Sequence, residues 1–160
     1  MTPPPGQGAD EAAADELYQR LVLDHARQPR NRGPLAGATH TARGDNPFCG
    51  DRVAVSLIVD GDRIAAARFE GQACAIATAA ASMMAAAVEG RTRAEAEALA
   101  RRFEALLAAG DAAPELGDLG DLRALAGVRR YPVRVKCARL PWQTLLAALG
   151  GGSGGAVSTE

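Results

Sequence analysis

Three cysteines and one aspartate carry the strongest chemical signal in this 160-residue chain: Cys49, Asp51, Cys74 and Cys137. In Asn46-Pro47-Phe48-Cys49-Gly50-Asp51 a thiol and a carboxylate flank a single glycine. Glycine tolerates the backbone angles of a tight turn, so both side chains can face one cation. An ordinary Gly-Asp turn at a strand entrance fits the same residues. Cys74 lies in Gly71-Gln72-Ala73-Cys74-Ala75-Ile76, where a small thiol among apolar neighbours also suits a core position. Cys137 follows Arg134 and Lys136, two cations that favour a thiolate or balance an anionic metal site. An odd, sparse set of cysteines does not make a disulfide framework, and no pair is spaced as a Cys-x-x-Cys knuckle. Residue types alone leave core thiols, a reactive thiol and metal ligands open.

The elements that would position these residues follow from patterning. Asp15 is expected to cap a helix running to about residue 27, with Leu17, Tyr18, Leu21 and His25 on one face. Pro29, Gly33 and Pro34 end it. Strands are expected over 38–46, 52–60 and 63–70. Val53, Val55, Leu57 and Val59 alternate in the second, and Asp60-Gly61-Asp62 turns it into the third. Residues 74–88 are small and apolar almost throughout, which predicts a buried helix closed by Gly90. Thr92 caps a charged amphipathic helix over 93–109. A short helix is expected near 121–126, and a last helix from Pro132 or Cys137 to Leu149. Strands before helices indicate an α+β fold, a small antiparallel sheet packed against helices. Residues 1–14 are expected to be disordered, 15–149 to form the domain, and the Gly- and Ser-rich stretch 150–160 to be a flexible tail. On this map every cysteine falls at a junction between elements.

Composition narrows the function classes. Basic and acidic residues number 18 and 19, a net charge of −1, which argues against gripping nucleic acid by bulk electrostatics. Of the 18 basic residues only Lys136 is a lysine, so the arginine count is no evidence for phosphate binding. Alanine supplies 36 residues; it favours helix but buries little surface, so one modest core is expected. No apolar run approaches the roughly 20 residues that span a bilayer, and the start of the chain lacks the pattern of a signal peptide. A cytoplasmic location is the expectation. His25 and His40 are expected to be structural or solvated, and no Gly-rich phosphate loop or dinucleotide fingerprint is present.

Taken in order, the motifs resemble the U-type iron–sulfur assembly family: IscU, the N-terminal part of NifU, and SufU. The residues that carry the resemblance are Leu17-Tyr18, Asp24-His25, Pro29-Arg30-Asn31, Asn46-Pro47-x-Cys49-Gly50-Asp51, Cys74-Ala75-Ile76, Ser82-Met83-Met84 and Lys136-Cys137-Ala138-x-Leu140-x-Trp142. Within the family the chain is similar to the SufU branch. Isc-type scaffolds carry a histidine before the third cysteine, where Lys136 stands here, and the stretch between the second and third cysteines is longer, with an insertion near 115–129. One departure is Ala77-Thr78-Ala79-Ala80-Ala81, where relatives have more serine; no ligand position is affected.

The resemblance implies a three-stranded SufU/IscU-like α+β fold and a tetrahedral zinc held by Cys49, Asp51, Cys74 and Cys137. Three thiolates and a carboxylate around Zn²⁺ leave a net negative site, which Arg134 and Lys136 would offset in part. It further implies a zinc-dependent sulfurtransferase that takes persulfide sulfur from a SufS-like cysteine desulfurase and passes it to a downstream iron–sulfur assembly scaffold. In SufU-like proteins a histidine of the desulfurase displaces one cysteine from zinc, and Cys49 matches that acceptor; Arg134 would support the site or guide docking. Two rivals stand beside this reading: a scaffold that builds a [2Fe–2S] cluster on the same ligands, iron also accepting thiolates, and an adaptor with a purely structural zinc.

Overall fold

A computed structural model describes residues 7–109, 119–151 and 155–158, with side chains over 16–108 and 119–150. Helix α1 (Gln7–Arg27) leads into strands β1 (His40–Asn46), β2 (Asp51–Asp60) and β3 (Arg63–Gln72). Helices α2 (Ala75–Val88) and α3 (Arg93–Ala109) follow, then a 3₁₀ segment (Gly120–Arg130), helix α4 (Pro132–Gly151) and a short strand β4 (Gly155–Ser158). The first three strands form the expected antiparallel meander, in the order β3-β2-β1-β4 once the last strand is added. Alternation decides its faces: Val53, Val55 and Leu57 of β2 point into the core with Ala42, Ile64, Ala67 and Phe69. Helix α2 is buried along most of its length, as its small residues require, and Trp142 stacks on Phe103 at 5.2 Å between α4 and α3.

Four expectations need correction. Helix α1 begins at Gln7 rather than at Asp15, so residues 7–14 are helical and not disordered; Ala9, Ala12, Ala13 and Ala14 are strong helix formers, and Asp10 and Glu11 suit a helix N-terminus. The buried face of α1 is Tyr18, Val22 and His25, while Leu17 is exposed. The tail is not wholly free: α4 continues through Gly151, and β4 pairs in parallel with Ala42–Asp45 of β1. The unpaired edge of β1 offers backbone donors and acceptors to any nearby extended segment, and composition does not reveal that. Residues 120–130 form one 3₁₀ run because Leu119, Leu122, Leu125 and Val128 recur every third residue and are all buried, matching three residues per turn. Residues 115–118 of the expected insertion lie outside the described residues, as do 1–6.

Two contacts set the helices over the sheet. A Cβ on Gly44 of β1 would lie 2.1 Å from Thr144 Oγ1, so α4 rests directly on the strand backbone. On the other side, His25 Nδ1 lies 2.7 Å from Ser82 Oγ, which also accepts the Arg30 amide at 2.7 Å. This clamp ties α1 and the Pro29-Arg30-Asn31 turn to α2. Burial pushes the pKa of His25 below its ordinary value, with Arg30 acting the same way and Asp24 and Asp121 opposing. The folded state therefore favours neutral imidazole, and His25 contributes stability that is present above its unfolded pKa and lost as pH falls toward its folded one. Urea unfolding between pH 7.5 and 5.5 is expected to show wild type weakening with a slope no steeper than about 1.4 kcal/mol per pH unit from this one group. His25→Gln should flatten that slope; an identical slope would remove His25 from the account.

Candidate functional site

The meander, the start of α2 and the start of α4 converge at one end of the sheet. A four-residue turn, Pro47 to Gly50, joins β1 to β2, with Asn46 and Asp51 paired at its base. Gly50 sits at φ 71°, a left-handed conformation that lets the turn close between Cys49 and Asp51. Cys74 is the N-cap of α2: its Sγ accepts the Ala77 amide at 3.4 Å. Cys137 lies in the second turn of α4, fully buried. Pro141, four residues on, has no N–H to give to the Cys137 carbonyl.

The side chains meet. Cys49, Asp51 and Cys137 place their ligand atoms within 4.8 Å of one another. Cys137 Sγ is 3.5 Å from Cys49 Sγ, and Cys74 Sγ is 3.6 Å from Asp51 Oδ2. Asp51 is buried, and its Oδ1 accepts the Cys74 amide at 2.8 Å, which leaves Oδ2 to face the thiols. Cys74 stands at the edge of the compact group of three, joined to it through Asp51 and through Cys137.

These distances test the donor set. With Zn–S near 2.3 Å and Zn–O near 2.1 Å, the edges of a tetrahedron are about 3.6–3.8 Å. The two contacts above lie close to such edges, and the compact group of Cys49, Asp51 and Cys137 fits an ion of the zinc type. Cys49, Asp51 and Cys137 would supply three of its ligands.

Charge is divided unevenly among the thiols. A hydrogen bond from Cys137, together with the α2 amide of Ala77, holds the pKa of Cys74 down to about 6 against the opposing effect of burial. Cys137 keeps the shared proton, and its own pKa is pushed up, first by that bond and then by burial. The Arg134 guanidinium faces the cluster: a hydrogen bond to Cys137 and the charge on Cys74 raise its pKa. Lys136 does not turn to the thiols; its Nζ lies over the Phe48 ring at 5.3 Å from the centroid, pinning the sulfur-bearing turn to α4.

Accessibility separates the three cysteines. Cys137 is buried, and Cys49 and Cys74 are half-buried. Cys49 forms part of the wall of an open groove of about 620 Å³ with Phe48, Tyr131, Val133 and Arg134. Phe48 is 76% exposed and Val133 63%, an apolar rim beside a thiol. The sequence reading of Cys74 as a thiol in apolar surroundings is half right: apolar α2 residues follow it, and its sulfur is bound by polar partners. Two features had no assigned role before the structure, the Asp51–Cys74 amide bond and the buried carboxamide of Asn46. The motif around Asn46 was the only signal for either. His40 lies at the start of β1, its Nδ1 2.9 Å from Thr39 Oγ1, away from the cluster.

Comparisons with known proteins agree with this arrangement. The sequence profile of the NifU-like N-terminal domain matches residues 17–138. The zinc-dependent sulfurtransferase SufU of Bacillus subtilis is 39% identical over 134 residues, covering 84% of this chain and 90% of that protein. The iron–sulfur cluster assembly scaffold protein IscU of Streptococcus pyogenes is 38% identical, covering 84% of each. The crystal structure of a nitrogen-fixing NifU-like protein (N-terminal) from Brucella abortus superposes with a TM-score of 0.76 at 27% identity, over 85% of this chain and 94% of that one. The resemblance read from the motifs is borne out, as is the α+β fold. The chain belongs to the family of NifU-like N-terminal domains.

Proposed function

We propose that this protein is a zinc-dependent sulfurtransferase of iron–sulfur cluster biogenesis, with Cys49 as the acceptor of persulfide sulfur from a cysteine desulfurase. One observation carries the choice of thiol: Cys49 is the cysteine that belongs to the ligand cluster and also lines the open groove. Cys137 has no exposed surface, and Cys74 is committed to capping α2. Zinc bound by Cys49, Asp51, Cys74 and Cys137 would keep the thiolates deprotonated and shielded until a partner docks.

The transfer is a thiol–persulfide exchange. The Cys49 thiolate attacks the terminal sulfur of the desulfurase persulfide; a new S–S bond forms on Cys49, the donor S–S bond breaks, and the desulfurase cysteine leaves as thiolate. One sulfane sulfur moves and no external oxidant or reductant is needed. The apolar rim of Phe48, Tyr131 and Val133 is suited to exclude water around the exchanging sulfurs, and Arg134 at the groove wall supplies positive charge beside them. No described helix is long and apolar enough to cross a membrane, and a cytoplasmic site of action with a downstream assembly scaffold as recipient belongs to the same reading.

The test is turnover of a SufS-like desulfurase with zinc-loaded wild type and with Cys49→Ala. Stimulation of at least about tenfold by wild type, lost in a folded Cys49→Ala, is the expected result. A well-folded, zinc-loaded wild type that gives no stimulation overturns the reading. The second reading, a [2Fe–2S] assembly scaffold, is favoured by the similarity to the S. pyogenes protein named for that role, and anaerobic cluster reconstitution on the same four ligands tests it.

A further inference from the structure

Asn46, the last residue of β1, has no exposed surface. Its backbone carbonyl accepts the amides of Cys49 at 3.2 Å and Gly50 at 2.9 Å. Its Oδ1 accepts the Phe48 amide at 3.1 Å, closing an Asx turn around the sulfur-bearing loop. Its Nδ2 donates to Cys49 Sγ at 3.7 Å. A buried primary amide must find acceptors, and here it finds the thiol.

The two ends of this side chain answer different questions. Closing the turn requires only the oxygen, and aspartate would do it equally well. Among the described residues, the nitrogen donates to the Cys49 sulfur. A carboxylate in its place would set negative charge against a thiolate, whereas the amide presents a donor to it. Lys136 over Phe48 restrains the same turn from the α4 side, and Cys49 Sγ is met by Asn46 Nδ2 and by the Cys137 thiol.

We propose that Asn46 is a positioning residue for the acceptor sulfur: its amide holds Cys49 Sγ against the cluster and sets how readily that sulfur swings into the groove. The chemical role builds on the sulfurtransferase reading; the contact itself does not. Loss of the donor frees Cys49, whereas among the described residues the hydrogen bonds of Asn46 reach neither Cys74 nor Cys137.

The experiment is site-resolved alkylation by iodoacetamide, read by peptide mass spectrometry, on zinc-loaded and on chelated protein. Asn46→Ser retains a short acceptor for the Phe48 amide and cannot reach the sulfur; Asn46→Asp retains Oδ1 and removes the donor. In Asn46→Ser the alkylation rate of Cys49 is expected to rise roughly tenfold, the scale of a lost hydrogen bond to a charged acceptor, with the rates of Cys74 and Cys137 unchanged; in Asn46→Asp the added negative charge disfavours the thiolate and makes the rise smaller. An unchanged Cys49 rate, or an equal rise at all three cysteines in a folded variant, overturns the proposal.

A second measurement covers variants that do not fold. The side-chain amide resonances of Asn46 are compared between wild type and Cys49→Ala. A clear shift of the Nδ2 protons is expected, and none overturns the contact. Because neither measurement uses a desulfurase, a failed sulfur-transfer assay and a failed Asn46 test are told apart.

Discussion

Gly44→Ala is expected to destabilise the protein by about 1–3 kcal/mol and to weaken metal binding at a site it does not touch. Gly44 has ordinary strand geometry, so alanine introduces no backbone strain; the obstacle is space. The added Cβ would sit 2.1 Å from Thr144 Oγ1 and 2.9 Å from Leu140 Cδ1. Thr144 is fully buried, and its hydroxyl donates to the Leu140 carbonyl at 2.7 Å, so it has no free volume to retreat into. The remaining way to relieve the overlap is to move α4 away from β1. Leu140 and Thr144 lie one and two turns beyond Cys137 on that helix, and β1 leads straight into the turn that carries Cys49. Opening the contact therefore lengthens the 3.5 Å approach of Cys137 Sγ to Cys49 Sγ. Urea unfolding and competitive zinc titration together check this. Wild-type values in both would mean that β1 and α4 yield without disturbing the cluster.

Removing the metal is expected to have the other large effect. Zinc bound only to the folded state stabilises by mass action, about 4 kcal/mol when free zinc is a thousandfold above the dissociation constant. Chelation should lower the melting temperature accordingly. Two cysteine variants separate the metal's contribution from the fold's. Cys49 is in a half-buried turn and caps no helix, so chelated Cys49→Ala should melt only slightly below chelated wild type, by the acceptor it gives the buried Asn46 amide. Cys74 also caps α2, its sulfur accepting the Ala77 amide, so chelated Cys74→Ala should melt lower by the loss of a cap, about 1 kcal/mol, while its backbone amide still donates to Asp51. Melting curves of the three proteins with and without chelator give the comparison. Equal chelated curves for wild type and Cys74→Ala would show that the thiol does not stabilise the helix, and a chelated Cys49→Ala that melts well below wild type would favour a purely structural cluster.

Much of the architecture was legible in residue order because local physics determines it. Val53, Val55 and Leu57 alternate with a period of two, which only a half-buried strand satisfies, and the Gly61-Asp62 turn returns the chain into β3. The small apolar run from Ala75 describes a helix that must be buried. The candidate site was legible less directly: thiols and a carboxylate at element junctions left core, reactive and metal-binding roles open, and the ligand set was implied only by the family resemblance. The three-residue spacing of Leu119, Leu122, Leu125 and Val128 is also present in the sequence and matches the pitch of the 3₁₀ run.

What needed the tertiary structure was everything set by pairing between distant segments. β4 has the composition of a linker and becomes a strand because β1 presents an open edge. Cys137 and Cys49 are 88 residues apart, and their contact depends on α4 lying on the bare backbone of Gly44. Lys136 was read as a charge beside the thiols; its place over Phe48 follows from how α4 meets the β1–β2 turn. The sequence by itself determined which donors exist and which elements carry them. Side-chain packing decided which thiol is buried, which caps a helix and which opens to the groove, because burial is a property of the assembled fold and not of any segment.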